Sequence, residues 1–184
     1  MMTAIKPALI LFATAVVTVT LLGVVYTLTL DPIEVQRKNA EEAALREVLP
    51  RAGEFTEIEI EPTGSIDKIF AGTAGGNTVG YVVELSPEGY GGTILLVVGI
   101  SSETERLSGM RVVKHSETPG LGARAVNEDF YRKFDGRELV PLWVVKTSPG
   151  EYEIDAISSS TITTRAVTEA VNEAIDWYNG GGWR

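Results

Sequence analysis

An uncharged apolar run near the N-terminus is the feature that most constrains this chain. It extends from Pro7 to Leu30 in a chain of 184 residues. About 20 apolar residues are enough to cross the hydrocarbon core of a bilayer as a helix, so the run predicts a transmembrane anchor. A cleaved secretory signal is the alternative, but its apolar core is usually shorter and ends at a small-residue cleavage site, which Tyr26 to Leu30 does not offer. We therefore expect a retained anchor over residues 1–30, with residues 7–30 in the lipid bilayer.

The charges that flank this run bear on its orientation. Lys6 precedes it, and Arg37 and Lys38 follow it together with Asp31 and Glu34. Acidic residues contribute little to orientation, and a first helix with a short tail usually enters with its N-terminus in the cytoplasm. We expect a single-pass protein of the cytoplasmic membrane, with its body on the extracytoplasmic side.

Composition excludes several function classes. The formal net charge of −9 argues against nucleic-acid binding, which needs a basic surface. The chain has no cysteine, so disulfides, thiolate zinc sites and cysteine-ligated iron–sulfur clusters are excluded, and no metal site is expected. It contains neither a P-loop nor a GxGxxG fingerprint, so nothing supports nucleotide hydrolysis or Rossmann-type NAD binding.

The residues after the anchor predict one α+β domain. Asp31 and Pro32 are typical of a helix start, which predicts a separate stalk or docking helix over residues 31–50. The body, residues 51–184, begins with strand-like runs separated by turn residues. These runs are residues 55–60, 66–71, 79–85, 93–100, 107–114, 141–147 and 152–157. A short helix is predicted from Ala123 to Phe134. Strands flanked by helices indicate a mostly antiparallel sheet.

A second, longer helix is predicted at the C-terminus of the body. Apolar residues recur there at helical spacing, which gives one apolar face. They are Val167, Ala170, Val171, Ala174, Ile175 and Tyr178. The glycines from Gly180 onward end the helix.

A cluster of hydroxyl residues, Ser158 to Thr164, precedes this helix. Taken alone, such a cluster is most often a helix cap. It also fits a phosphate site, because the free N–H groups and the dipole at a helix start favour an anion.

Two upstream loops have an ordinary structural interpretation. Glu117 to Gly122 and Gly89 to Gly92 both contain turn residues. His115, the one histidine, is interpreted as a strand-end residue because no nucleophile or metal constellation accompanies it. Trp143 and Lys146 lie on a predicted strand, where packing is the simplest role.

These segments together resemble the FMN-binding domain family. Asp155 and the stretch Ser158 to Thr161 resemble the family's flavinylation motif, an aspartate followed by small residues and then Ser-Gly-Ala-Thr. All six residues of Glu117–Gly122 match a family element, and Gly89–Gly92 matches another. Ser159 and Ser160 replace the family's Gly and Ala, and Ser159 would be strained if the Gly position has a positive φ.

The resemblance implies a set of site residues. Thr161 would carry FMN through a phosphoester bond, and Asp155 would be recognised by a flavin transferase. The implied contacts with the cofactor are Ser158, Ser159, Ser160, Ile162, Thr163, Glu117, Thr118, Gly120, Leu121, Gly122, Tyr90, Gly91, Trp143 and Lys146. No residue is expected to be catalytic by itself.

The resemblance extends over nearly the whole chain and implies a function. Within the family the chain is similar to the G subunit of Rnf-type complexes, and its relative, the C subunit of the Na⁺-translocating quinone reductase, tends to be longer. The implied role is a flavin relay in a complex that couples ferredoxin oxidation and NAD⁺ reduction to Na⁺ or H⁺ export. The implied partners are the other subunits and the flavin transferase. A subunit of another redox chain and a membrane-anchored scaffold domain without a redox role remain open.

Overall fold

The computed structural model describes residues 2–60 and 63–183 and forms two units, residues 1–40 and 41–184. Residues 1, 61, 62 and 184, which belong to the predicted tail and body, lie outside the described residues. The first unit is helical. Its segment Ile5–Leu30 has a mean hydropathy of 2.6 and exposed side chains, and it is long and apolar enough to cross a membrane. At a rise of about 1.5 Å per residue it measures roughly 39 Å, against a hydrocarbon core of about 30 Å.

The anchor and the predicted stalk are one helix, which we call α1, Met2–Val48. The expected break at Pro32 is absent, and both Pro7 and Pro32 lie inside the helix. A proline removes one backbone donor, but the Ala- and Glu-rich sequence of residues 39–48 favours the helix strongly enough to continue it.

The second unit contains a five-stranded antiparallel sheet in the order β1-β2-β3-β4-β5. Each strand pairs with the next one along the chain. The strands are β1 Glu54–Ile58, β2 Ile66–Ala74, β3 Asn77–Leu85, β4 Leu95–Ser101 and β5 Arg106–Lys114. The mostly antiparallel α+β architecture predicted from the sequence is therefore confirmed.

The last turns of α1 cover one face of this sheet. Leu45, Val48 and Leu49 are buried against Val82 and Val97. Glycines at three strand positions make room for them, because a Cβ atom added there would clash with Val48 or Leu49. These glycines are Gly72, Gly80 and Gly99. The strand-like run predicted over residues 66–71 is longer in the structure: β2 continues through Gly72 to Ala74, and the turn falls at Gly75 and Gly76.

The other face is covered by the remaining helices. The C-terminal helix α3, Thr161–Asn179, buries Val167, Val171 and Ile175 in the larger core. Its predicted periodicity therefore matches the structure, and the helix begins within the hydroxyl cluster, at Thr161. Phe130 and Phe134 pack edge-to-face in the same core, with ring centroids 5.7 Å apart.

Short elements connect β5 to α3. They are a 3-10 helix Gly122–Val126, α2 Glu128–Tyr131, a second 3-10 helix Arg132–Phe134, β6 Trp143–Val145 and β7 Glu153–Asp155. The predicted helix over residues 123–134 is thus broken into three pieces, and the two predicted strands shrink to three residues each. β6 and β7 pair in parallel. The chain from β7 to α3, residues 156–160, carries the three serines of the hydroxyl cluster, and its threonines lie in the first turn of α3.

Candidate functional site

One cavity in the second unit brings the sequence-predicted loops together. Its volume is about 450 Å³, within the usual range for a small-molecule site. Three segments line it: the glycine loop before β4, the loop after β5 and the start of α3. The lining residues are Tyr90, Glu117, Thr118, Leu121, Gly122, Ser159, Ser160, Thr161, Ile162 and Thr163.

The Glu117 carboxylate ties these three segments together. Glu117 is only 5% exposed. Its Oε1 accepts hydrogen bonds from the N–H groups of Tyr90, at 2.7 Å, and Gly91, at 2.9 Å. Its Oε2 accepts a hydrogen bond from the Thr163 hydroxyl at 2.8 Å. Because the donors come from two other segments, one side chain fixes the shape of this wall of the cavity.

The start of α3 forms another wall and is open to an anion. Ser160 is the N-cap residue, with φ −138° and ψ 43°, and its side chain makes no capping hydrogen bond. The first turn carries no acidic residue. The N–H groups of Thr161, Ile162 and Thr163 have no carbonyl acceptor within the helix. These free donors and the helix dipole therefore favour a phosphate at this end.

The three threonine hydroxyls of this first turn have different environments. Thr163 is buried and donates to Glu117. Thr164 is fully buried, donates to the Ser160 carbonyl at 2.9 Å and accepts from the Ile157 N–H at 3.1 Å. Thr161 lines the cavity and is half-buried, and its hydroxyl makes no hydrogen bond within residues 2–60 and 63–183. Of the three, Thr161 is thus the one that combines access to the cavity with an uncommitted hydroxyl.

Large apolar side chains surround the cavity opening. Tyr90 is 72% exposed, Ile162 is 56% exposed and Leu121 is 42% exposed. All three line the same cavity, one from each segment. Exposed apolar side chains that converge on a cavity indicate a binding site for a partly apolar ligand.

Comparisons with known proteins agree with this geometry. A family model of the FMN-binding domain matches residues 89–176, and one of the RnfG N-terminal region matches residues 1–48. The chain is 35% identical over 164 residues to the G subunit of the ion-translocating oxidoreductase complex of Methanosarcina acetivorans, with 86% of each chain covered. It is 36% identical over 191 residues to the G subunit of the Na⁺-translocating ferredoxin:NAD⁺ oxidoreductase complex of Acetobacterium woodii, covering 94% of this chain and 90% of that one.

The chain belongs to the RnfG family. This confirms the resemblance and, between the two relatives considered, favours RnfG over the quinone-reductase protein. Among solved structures, the C subunit of the Na⁺-translocating NADH-quinone reductase of Parabacteroides distasonis has a TM-score of 0.61 at 20% identity, covering 81% of this chain and 94% of that one. Shewanella oneidensis NqrC has a TM-score of 0.54 at 21% identity, covering 70% and 67%. The chain therefore shares the NqrC fold.

The residues of this site fit an FMN molecule. The cavity combines exposed apolar side chains, which suit a flavin ring, with an uncapped helix start, which suits the phosphate. The buried carboxylate in the wall, Glu117, already accepts three hydrogen bonds, so it is stabilised without the ligand. The cavity lies wholly within the segment that the FMN-binding domain model matches.

Most predicted contact residues meet at this cavity, but some do not. Gly91 takes part through its hydrogen bond to Glu117, and Gly120 lies in the same loop with φ +78°. Trp143 is 65% exposed on β6, and neither it nor Lys146 lines the cavity. Their contact with FMN therefore stays a prediction without support from the cavity lining.

The segment that resembles a flavinylation motif is divided between two cavities. Ser159, Ser160 and Thr161 line the large one, whereas Asp155 and Ser158 line a second, polar cavity of about 150 Å³. Ser159 has φ +63°, so it does occupy the left-handed region that strains a non-glycine residue.

Sequence reasoning missed one charged residue of this region. Lys133 forms an ion pair with Asp155, with Nζ 2.8 Å from Oδ1. It belongs to a segment that was expected to be regular helix, and no sequence pattern links the two positions. His115 lies just after β5, where a strand-end residue was expected, and its Nδ1 accepts the Glu117 N–H at 3.2 Å.

Proposed function

We propose that this protein is a membrane-anchored flavoprotein that relays electrons through FMN. The complex would be an Rnf-type ferredoxin:NAD⁺ oxidoreductase that couples electron transfer to Na⁺ or H⁺ translocation. The names of the relatives, which include both Na⁺- and H⁺-translocating enzymes, support this proposal. The observation that carries it is the cavity that an uncapped helix start lines together with three exposed apolar side chains.

Each part of the site has a role in this proposal. Tyr90, Leu121 and Ile162 contact the flavin ring and shield it from water. The first N–H groups of α3 hold the phosphate. Glu117 keeps the three segments in place through its hydrogen bonds. The bound FMN supplies one- and two-electron chemistry, and the protein limits the solvent exposure of the ring and tunes its potential.

We propose further that FMN is attached covalently to Thr161. A flavin transferase would catalyse attack of the Thr161 Oγ on the flavin-side phosphorus of FAD. An Oγ–P bond forms, the P–O bond to AMP breaks, AMP leaves, and the hydroxyl proton passes to a base of the transferase. The uncommitted Thr161 hydroxyl supports this assignment, because Thr163 and Thr164 are buried and hydrogen-bonded.

The placement in the cell is part of the same proposal. Residues 7–30 anchor the protein in the cytoplasmic membrane, and the body contacts other subunits on the extracytoplasmic side. Covalent attachment suits that side, because a flavin held there only by affinity would be lost by dilution. The apolar segment Ile5–Leu30 and the match of residues 1–48 to the RnfG N-terminal region support the anchor.

The attachment is tested with Thr161→Ala in the full chain, co-expressed with a flavin transferase. We expect wild-type protein to keep flavin fluorescence after denaturing electrophoresis and the variant to lose it. Intact mass should show one FMN minus one water on the wild type only. Thr78→Ala, at an exposed position on β3, is the matched control and should keep the flavin.

Two results would contradict the attachment: covalent flavin in Thr161→Ala, or wild-type protein that carries no covalent flavin beside an active transferase. Reversible FMN binding by the wild type in the second case would leave the flavoprotein role intact. If the wild type bound FMN neither covalently nor reversibly, the proposed function would be refuted. The side of the membrane is tested separately by protease added to spheroplasts, which should digest the body, and full protection would refute the topology.

A further inference from the structure

The segment from Asp155 to Thr161 separates two cavities of different character. Its second half lines the large cavity, with three exposed apolar side chains around it. Its first half lines the small polar cavity together with Arg124, Asp129 and Lys133. The acceptor hydroxyl and the aspartate of the modification motif therefore open onto different cavities, so whatever holds Asp155 lies outside the flavin site.

Lys133 holds Asp155 at two points. Its Nζ lies 2.8 Å from Asp155 Oδ1 and also donates to the Asp155 carbonyl at 3.4 Å. The same ammonium lies 5.4 Å from the centre of the Phe130 ring, which is buried in the core. The lysine side chain is 26% exposed and the aspartate side chain 39%. A partly buried lysine with two acceptors and an aromatic neighbour is more strongly fixed than an ordinary surface ion pair.

The rest of the loop is held by other groups. The Ala156 N–H donates to the Val145 carbonyl at 2.8 Å, and the Ser160 N–H donates to the Ile157 carbonyl at 2.9 Å. The Ile157 N–H donates to Thr164. Among the described residues, the Asp155 carboxylate itself is paired only with Lys133. Loss of the lysine would therefore free this carboxylate while leaving the backbone of the loop held.

We propose that Lys133 is a positioning residue for the modification of Thr161. It fixes the Asp155 carboxylate on the polar side of the loop, where one oxygen is bound and the other remains open to a transferase. An aspartate already held in one rotamer loses less entropy when the transferase binds, which favours recognition. This proposal rests on the covalent attachment proposed above.

The test measures the rate of flavin attachment in the purified full chain, with FAD and a flavin transferase. Lys133→Met should slow attachment about tenfold, which corresponds to about 1.4 kcal/mol. Lys133→Arg keeps the charge and should restore most of the rate. Arg132→Met is the matched control, because this neighbour pairs with Glu128 on the exposed surface and not with the motif, and its rate should equal that of the wild type.

A double variant distinguishes a positioning role of Lys133, which acts through Asp155, from a general effect of Lys133 on the stability of the fold. Asp155→Asn should slow attachment by itself, and adding Lys133→Met to it should cause little further loss. Unchanged attachment in Lys133→Met, or equal slowing with and without the Asp155 change, would overturn the proposal. Slowing of Lys133→Arg to the level of Lys133→Met, with a matching fall in Tm for both, would also overturn it. An unmodified wild type would instead show that the covalent attachment itself fails.

Discussion

Replacement of Glu117 by alanine tests whether one carboxylate holds the site together. The change removes three hydrogen bonds to a charged acceptor, from the N–H groups of Tyr90 and Gly91 and from the Thr163 hydroxyl. A hydrogen bond to a charged group contributes about 1.5–3 kcal/mol, but these donors border a cavity that water can enter. We therefore expect a loss of about 3–5 kcal/mol in the free energy of unfolding, less than the sum of three full bonds.

Glu117→Gln is the matched comparison. The amide oxygen can keep both backbone donors, and the amide nitrogen then faces the Thr163 oxygen, whose hydroxyl must turn to accept instead of donate. The expected loss is about 1 kcal/mol, since charge is lost but three contacts remain. Thr163→Val removes one contact only and should cost about 1–2 kcal/mol.

The assay is thermal and denaturant unfolding of the full chain in detergent, followed by circular dichroism. Glu117→Ala should lower the Tm by roughly 10 °C, because about 1 kcal/mol corresponds to a few degrees in a domain of this size. FMN attachment should fall with it, since the helix start loses its tie to the glycine loop. Equal Tm values for the Ala and Gln variants would refute the reasoning, because the carboxylate would then not join the segments.

Three further changes test other parts of the fold and site. Ser159→Gly should stabilise the protein by about 1 kcal/mol in urea unfolding, because φ is +63° there, and a loss would refute the strain. Burial, and then the neighbouring Glu41, raise the pKa of the buried Glu84 carboxyl from 4.5 to about 7. Protonation of Glu84 therefore stabilises the folded state fully below pH 4.5, and this stabilisation is lost as the pH rises through 7. Glu84→Gln should therefore gain up to about 3 kcal/mol relative to the wild type between pH 4.5 and 8, and a flat difference would refute this. Gly99→Ala places a methyl group against the Val48 carbonyl and should cost about 2 kcal/mol or more, whereas a neutral result would mean that the helix end can shift.

The parts of the fold predicted best from sequence are those whose signal is local. The α3 periodicity from Val167 to Tyr178 predicted the helix, and the structure places its start at Thr161. The strands of the main sheet were found within a few residues because their apolar runs are bounded by turn residues. The separate helix expected to start at Asp31 and Pro32 was wrong, because the helix preference of the residues after Pro32 outweighs the one backbone donor that the proline removes.

The contacts that shape the site have no local signal. The donors to Glu117 lie 26, 27 and 46 residues away, and two of them are backbone N–H groups that any residue could supply. The pair of Lys133 and Asp155 spans 22 residues between an irregular helix and a short strand. Composition and periodicity cannot identify such partners, because only the tertiary fold sets the distance between them.

The segment Glu117–Gly122 and the glycine loop before β4 contain glycines that are required for different physical reasons. A Cβ atom at Gly89 or Gly122 would overlap the Glu117 carboxylate oxygens, so these glycines make room for the carboxylate. Gly120 has φ +78° and no atom within 4 Å of an added Cβ, so its requirement is backbone conformation alone. The resemblance to the FMN-binding family at these glycines is therefore explained by how the cavity wall is built, without any contact between the glycines and the ring. In the proposed site, contact with the ring is instead made by the exposed side chains of Tyr90, Leu121 and Ile162, which line the same cavity.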